Sequence, residues 1–138
     1  MSALEVQDWT KEAKSFSPIM TVDVAAPPQA ALDAVAAGLG SQGFRIKDAT
    51  ATGFRASYRE LIGGLLGLVT ATDADILNRT LLTVAATPIP DGAHLTISVA
   101  GGGQHRSGRK RGRSGLTAGL QDLQRRGVTV TMTPWRRE

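Results

Sequence analysis

Short runs of strictly alternating residues constrain this chain most. Phe44 and Ile46 alternate with Arg45 and Lys47, and Phe54, Ala56 and Tyr58 alternate with Arg55, Ser57 and Arg59. Alternation at period two means a strand with one buried and one solvated face. Ile19–Val24 and Val128–Thr133 repeat the pattern, and Leu81–Thr87 and His94–Val99 read as a further strand pair. Turn residues separate the paired runs, around Asp48–Gly53 and at Pro88–Gly92, so neighbouring strands are expected to pair antiparallel.

Two runs have helical spacing instead. Leu32, Val35, Ala36 and Leu39 follow Pro28, a residue suited to a first helical turn, where its missing N–H costs nothing. Leu116, Leu120 and Leu123 define a second helix, expected from Ser114 to Arg126 and ended by Gly127. Ser2 and Glu5 have capping-box spacing, which predicts a short N-terminal helix through about Lys14 with Trp9 as its anchor. The order is thus β-α-β-β-β-β-α-β behind that helix. It predicts an α+β two-layer sandwich of about six mostly antiparallel strands, with two main helices on one face. Trp135 to Glu138 reads as a short tail. At 138 residues the expectation is a single domain, 1–138.

Composition narrows the chemistry. Cysteine is absent, which removes disulfides, thiolate catalysis and Cys-ligated metal centres. The first sixteen residues lack an apolar run, and no stretch approaches the ~18 apolar residues of a membrane-spanning helix. A cytoplasmic protein with no transmembrane segment is expected. Of the two histidines, His94 falls on the solvated register of its strand and His105 lies among cations. Neither has a carboxylate or nucleophile beside it in sequence, so a binding module is expected rather than an enzyme. A buried cluster drawn from Asp48, Glu60, Asp73 and Asp75 would reverse that expectation. Asp73 and Asp75 suit the start of a helix better than a metal site, and no metal or cofactor is expected.

Charge is distributed unevenly. Residues 104–138 hold nine Lys or Arg against two acidic residues, whereas residues 1–103 hold seven against ten. The basic excess centres on 101–115, read as a glycine-rich loop leading into the second helix. Arg106, Arg109, Lys110, Arg111 and Arg113 lie in it. Cations at a helix N-terminus oppose its dipole, which points to an anionic partner held there. Residues 103–110 resemble a phosphate-binding loop only in outline: Arg109 stands where the lysine belongs, and no Ser or Thr follows it. Nucleotide hydrolysis is not expected; contact with nucleic acid or another polyanion is. Arg45, Lys47, Arg55 and Arg59 would form a second basic face if both their strands turn apolar residues inward.

A different binding class rests on Leu61–Val69, an apolar run with Gly63, Gly64 and Gly67. It suits a flap over a hydrophobic small molecule, a contact with a membrane surface, or burial against a second copy in a homo-oligomer.

Overall fold

The computed structural model describes residues 4–7, 9, 18–59, 79–100 and 106–137. Among the described residues, seven strands and two helices run in the order β1 (Pro18–Val24), α1 (Pro28–Ser41), β2 (Arg45–Thr50), β3 (Gly53–Arg59), β4 (Arg79–Ile89), β5 (Gly92–Ala100), α2 (Arg106–Arg125), β6 (Val130–Met132) and β7 (Arg136–Arg137). One sheet contains all the strands, in the order β2-β3-β4-β5-β1-β6, with β7 also paired to β1. Every pairing is antiparallel. The expected α+β sandwich is therefore the fold.

Period-two alternation builds the core directly. Met20, Val22 and Val24 of β1, Phe54 and Ala56 of β3, Leu82, Val84 and Ala86 of β4, and Ala93, Leu95, Ile97 and Val99 of β5 are all buried on one face. Both helices lie against that face and against each other. α1 buries Ala31, Leu32, Ala34, Val35 and Leu39, with Pro28 in its first turn as anticipated. Gly43 follows it with φ 93°, and Gly127 follows α2 with φ 88°. Both are left-handed conformations in which a Cβ would be strained.

The strands outrun their sequence-based limits. β2 continues to Thr50 past an irregularity at Asp48, whose φ is 54°, so the β2–β3 turn shrinks to Ala51 and Thr52. The β4–β5 ladder continues to Ile89 opposite Gly92, which leaves Pro90 and Asp91 as a two-residue turn.

Three local expectations are corrected. First, residues 106–115 are not a loop: α2 begins at Arg106, eight residues before the expected start. Its glycines 108, 112, 115 and 119 are spaced by four, three and four, so they fall on one helical face. A Cβ on Gly112 would stand 2.9 Å from the Trp9 ring, and one on Gly119 would stand 2.6 Å from the Ala34 carbonyl oxygen. Each glycine costs the helix about 1 kcal/mol in propensity relative to alanine. Close approach of α2 to α1 and the sheet offsets that cost.

Second, Leu4–Gln7 and Trp9 are not helical. Side chains of α2 satisfy this segment instead. The Val6 N–H donates to Thr117 Oγ1 at 2.9 Å, and Gln121 Nε2 donates to the Leu4 carbonyl at 2.6 Å. Arg113 Nε donates to the Val6 carbonyl. Glu5, the expected capping-box acid, pairs with Arg113 Nη2 at 2.9 Å. The rest of the expected N-terminal helix lies outside the described residues.

Third, the C-terminal residues are not a free tail. Trp135 is buried, packs edge-on against Trp9 at 5.0 Å between ring centroids, and donates from Nε1 to the Gln7 carbonyl at 2.7 Å. Arg136 and Arg137 pair with Ile19 and Pro18 of β1.

Candidate anion-binding surfaces

The helix cations do not converge on one point. Successive residues turn by about 100° around an α-helix, and the contacts follow that rotation. Arg113 is engaged by the N-terminal segment through Glu5 and Val6. Arg111 lies on the opposite flank, its guanidinium 5.4 Å from the centre of the Tyr58 ring and its Nη1 donating to the Gln42 carbonyl at 3.4 Å. Arg109 is half-buried, and its buried Nε has no hydrogen-bond partner among the described residues. Lys110 is exposed and lines an open groove with Leu4, Glu5, Arg113, Ser114, Thr117 and Gln121. Arg106 opens the helix. Because Arg113 links two segments through a charge-assisted bond, Arg113→Met is expected to lower stability by about 1–2 kcal/mol in urea unfolding. A loss below a few tenths would mean that the link contributes little.

The second basic face is assembled by the sheet. Neither helix covers the face opposite the core. Arg45, Lys47 and Arg55 are all exposed there, while Ile46 packs against the core. The two strands do turn their apolar residues inward, as the alternation anticipates. Register then decides the neighbours. Lys47 lies directly opposite Arg55 across the β2–β3 ladder, and Arg59 lies opposite Arg79 across β3–β4. Like charges in directly opposed positions destabilise a sheet. Arg55 has Asp48 within 3.8 Å, but both side chains are more than half exposed, so this pair offsets little. Lys47→Thr is accordingly expected to raise stability by about 0.2–1 kcal/mol, read as a higher urea midpoint.

From Lys47 and Arg55 one lateral row crosses the whole face. It continues through Thr83, Ser98 and Ile19 to Arg136 on β7. Arg136 is exposed. A parallel row holds Ala85, Thr96 and Thr21, and Thr21 Oγ1 is 2.9 Å from Thr133 Oγ1. The middle of the face therefore carries the short hydroxyl side chains of Thr83, Ser98, Thr96 and Thr21 beside Ile19 and Ala85, with cations at the two ends of the first row. Arg79 was missed by the sequence reading, because it precedes the expected start of its strand. Arg136 belongs to the basic C-terminal excess, and its pairing with β1 brings it to this face.

At the far corner His94 Nδ1 lies 2.6 Å from Asp23 Oδ1. They are cross-strand neighbours, which sequence separation concealed. His94 does occupy the solvated register expected for it. Asp48 is exposed rather than part of a buried acidic cluster. Glu60, Asp73, Asp75, His105 and the Leu61–Val69 run lie outside the described residues. Among the described residues no group of three or more His, Asp or Glu could hold a metal ion. Nor is any helix among them long and apolar enough to cross a membrane.

No family model matches this chain, and no curated protein matches it either.

Proposed function

We propose that this protein is a non-enzymatic, cytoplasmic binding module for polyanions, and that its open sheet face is the binding surface. One observation carries the reading: Lys47 and Arg55, both exposed, stand directly opposite each other at the cationic end of that face, with Arg45 two residues from Lys47 on the same strand. Such opposition costs stability in the free protein. A phosphate or sulfate array lying over the strands would relieve it and release condensed counterions. The helix cations are supporting charge rather than the main contact. Arg111 and Arg113 already serve intramolecular partners, while Lys110 is exposed at the groove.

The test is salt-dependent fluorescence anisotropy with labelled DNA, comparing the intact protein with Arg45→Ala/Lys47→Ala/Arg55→Ala and with Lys110→Ala. The triple variant is expected to bind at least tenfold more weakly. Its log–log salt slope should fall by roughly 2–3, near one unit per lost phosphate contact. Lys110→Ala should cost less than about threefold by the same reasoning. Equal losses in the two variants would move the site to the helix. Binding unchanged in the triple variant would leave the β2 cations as guards against edge-to-edge strand pairing, a common use of charge on an edge strand.

A further inference from the structure

We infer that the free edge of β6 is a contact between two copies of this chain, which pair antiparallel about a two-fold axis at Thr131 and join their sheets into one.

The hydrogen-bond pattern fixes which backbone groups that edge offers. The Ala25 N–H donates to the Thr129 carbonyl at 3.0 Å, and the Thr133 N–H donates to the Thr21 carbonyl at 2.9 Å. Residues 129, 131 and 133 therefore turn their peptide groups toward β1. Peptide groups alternate in direction along a strand, so those of Val130 and Met132 point away from β1. β6 ends the sheet, and these outward groups have no partner among the described residues. The flanking positions add no donor. The Val128 N–H donates to the Leu123 carbonyl at 3.0 Å, and Pro134 has no N–H.

Val130 and Met132 are complementary to each other. In an antiparallel pair centred on Thr131, Val130 lies opposite Met132 of the second copy, and the reverse. Each such pair exchanges both its N–H···O bonds, so every outward donor and acceptor is used. Centring on Val130 would call on the occupied Val128 N–H, and centring on Met132 on the one Pro134 lacks. The side chains agree with this register. Val130 and Met132, half-buried against the core, extend one apolar strip across the junction. The exposed Thr131 side chains meet at the axis, where opposed Cα atoms stand about 4.5 Å apart.

Charge selects this edge, and a second copy as its occupant. Residues 127–135 carry no charge, so two copies of a chain with formal net charge +4 meet here without opposing like charges. At the other edge of the sheet, on β2, Arg45 and Lys47 are exposed and the strand is irregular past Lys47. Charge and irregularity both keep an edge strand unpaired. A contact that is the same on both copies closes on itself, so association stops at the dimer.

Sedimentation velocity on the full chain, from micromolar to millimolar concentration, reads the association. The intact protein is expected to pass from monomer to dimer. Thr131→Lys and Thr131→Glu each place two like charges at the axis, and each alone should weaken the dimer about tenfold or more. An equimolar mixture of the two variants sets opposite charges there and should recover the dimer. Circular dichroism melts check that each variant is folded. An intact protein that stays monomeric throughout would overturn the inference, as would a dimer indifferent to charge at position 131. Loss in each variant without recovery in the mixture would overturn it too, because a perturbed strand would lose the dimer in all three samples.

Discussion

Trp9→Ala is expected to destabilise the protein by about 3–5 kcal/mol, the range for removing a large buried aromatic side chain. Trp9 is fully buried, meets Trp135 edge-on, and faces Gly112 of α2. Aromatic pairs in this arrangement contribute roughly 0.5–1.5 kcal/mol beyond their burial. Truncation would empty the space over Gly112 and remove the surface against which Trp135 packs. The hydrogen bonds from Thr117, Gln121 and Arg113 to Leu4 and Val6 hold the same segment, so its docking should weaken as a unit. Urea unfolding would read the loss, and near-ultraviolet circular dichroism would report the altered environment of Trp135. A change below about 1 kcal/mol would contradict the docked position of Leu4–Trp9, since cavity formation at a filled site costs more than that.

Gly38→Ala and Gly40→Ala should act in opposite directions, although both residues lie in α1. A Cβ on Gly38 would clash with the Gly115 carbonyl oxygen and stand 2.6 Å from the Gly119 nitrogen. These are backbone atoms that no rotamer change can move aside. Overpacking of this kind costs about 1–3 kcal/mol, more than the roughly 1 kcal/mol that alanine gains in helix propensity. A Cβ on Gly40 meets nothing within 4 Å. There the propensity gain stands alone, and the variant should be about 0.5–1 kcal/mol more stable. The two urea midpoints, measured side by side, test whether α1 and α2 are in glycine-mediated contact. Stabilisation by both substitutions would show that the helices sit further apart.

The glycines also explain why α2 was half legible. Leu116, Leu120 and Leu123 announce its C-terminal half by apolar periodicity. In the N-terminal half the residues facing the core are glycines, which carry no hydropathy signal and rank among the poorest helix formers. Their spacing was the available clue, since 108, 112, 115 and 119 share a face as surely as leucines would. Glu5 illustrates the same limit. Its position fits a capping box, but the segment is extended along α2 and Glu5 pairs with the Arg113 guanidinium instead.

By itself the sequence determined the α+β class, the order of the main elements, and which side of each strand faces water. Those properties follow from local periodicity, because a strand or helix sorts its side chains by position along one short segment. The shared face of Arg45, Lys47 and Arg55 follows from that sorting alone. Tertiary structure decided the start of α2, the docking of Leu4–Trp9 on Trp135, and the internal partners of Arg111 and Arg113. It also decided that Lys47 stands opposite Arg55, that Arg59 pairs in register with Arg79, and that Arg136 closes the far end of the row that holds Lys47 and Arg55. Register and close approach are set by how distant segments pack, and no local propensity encodes them.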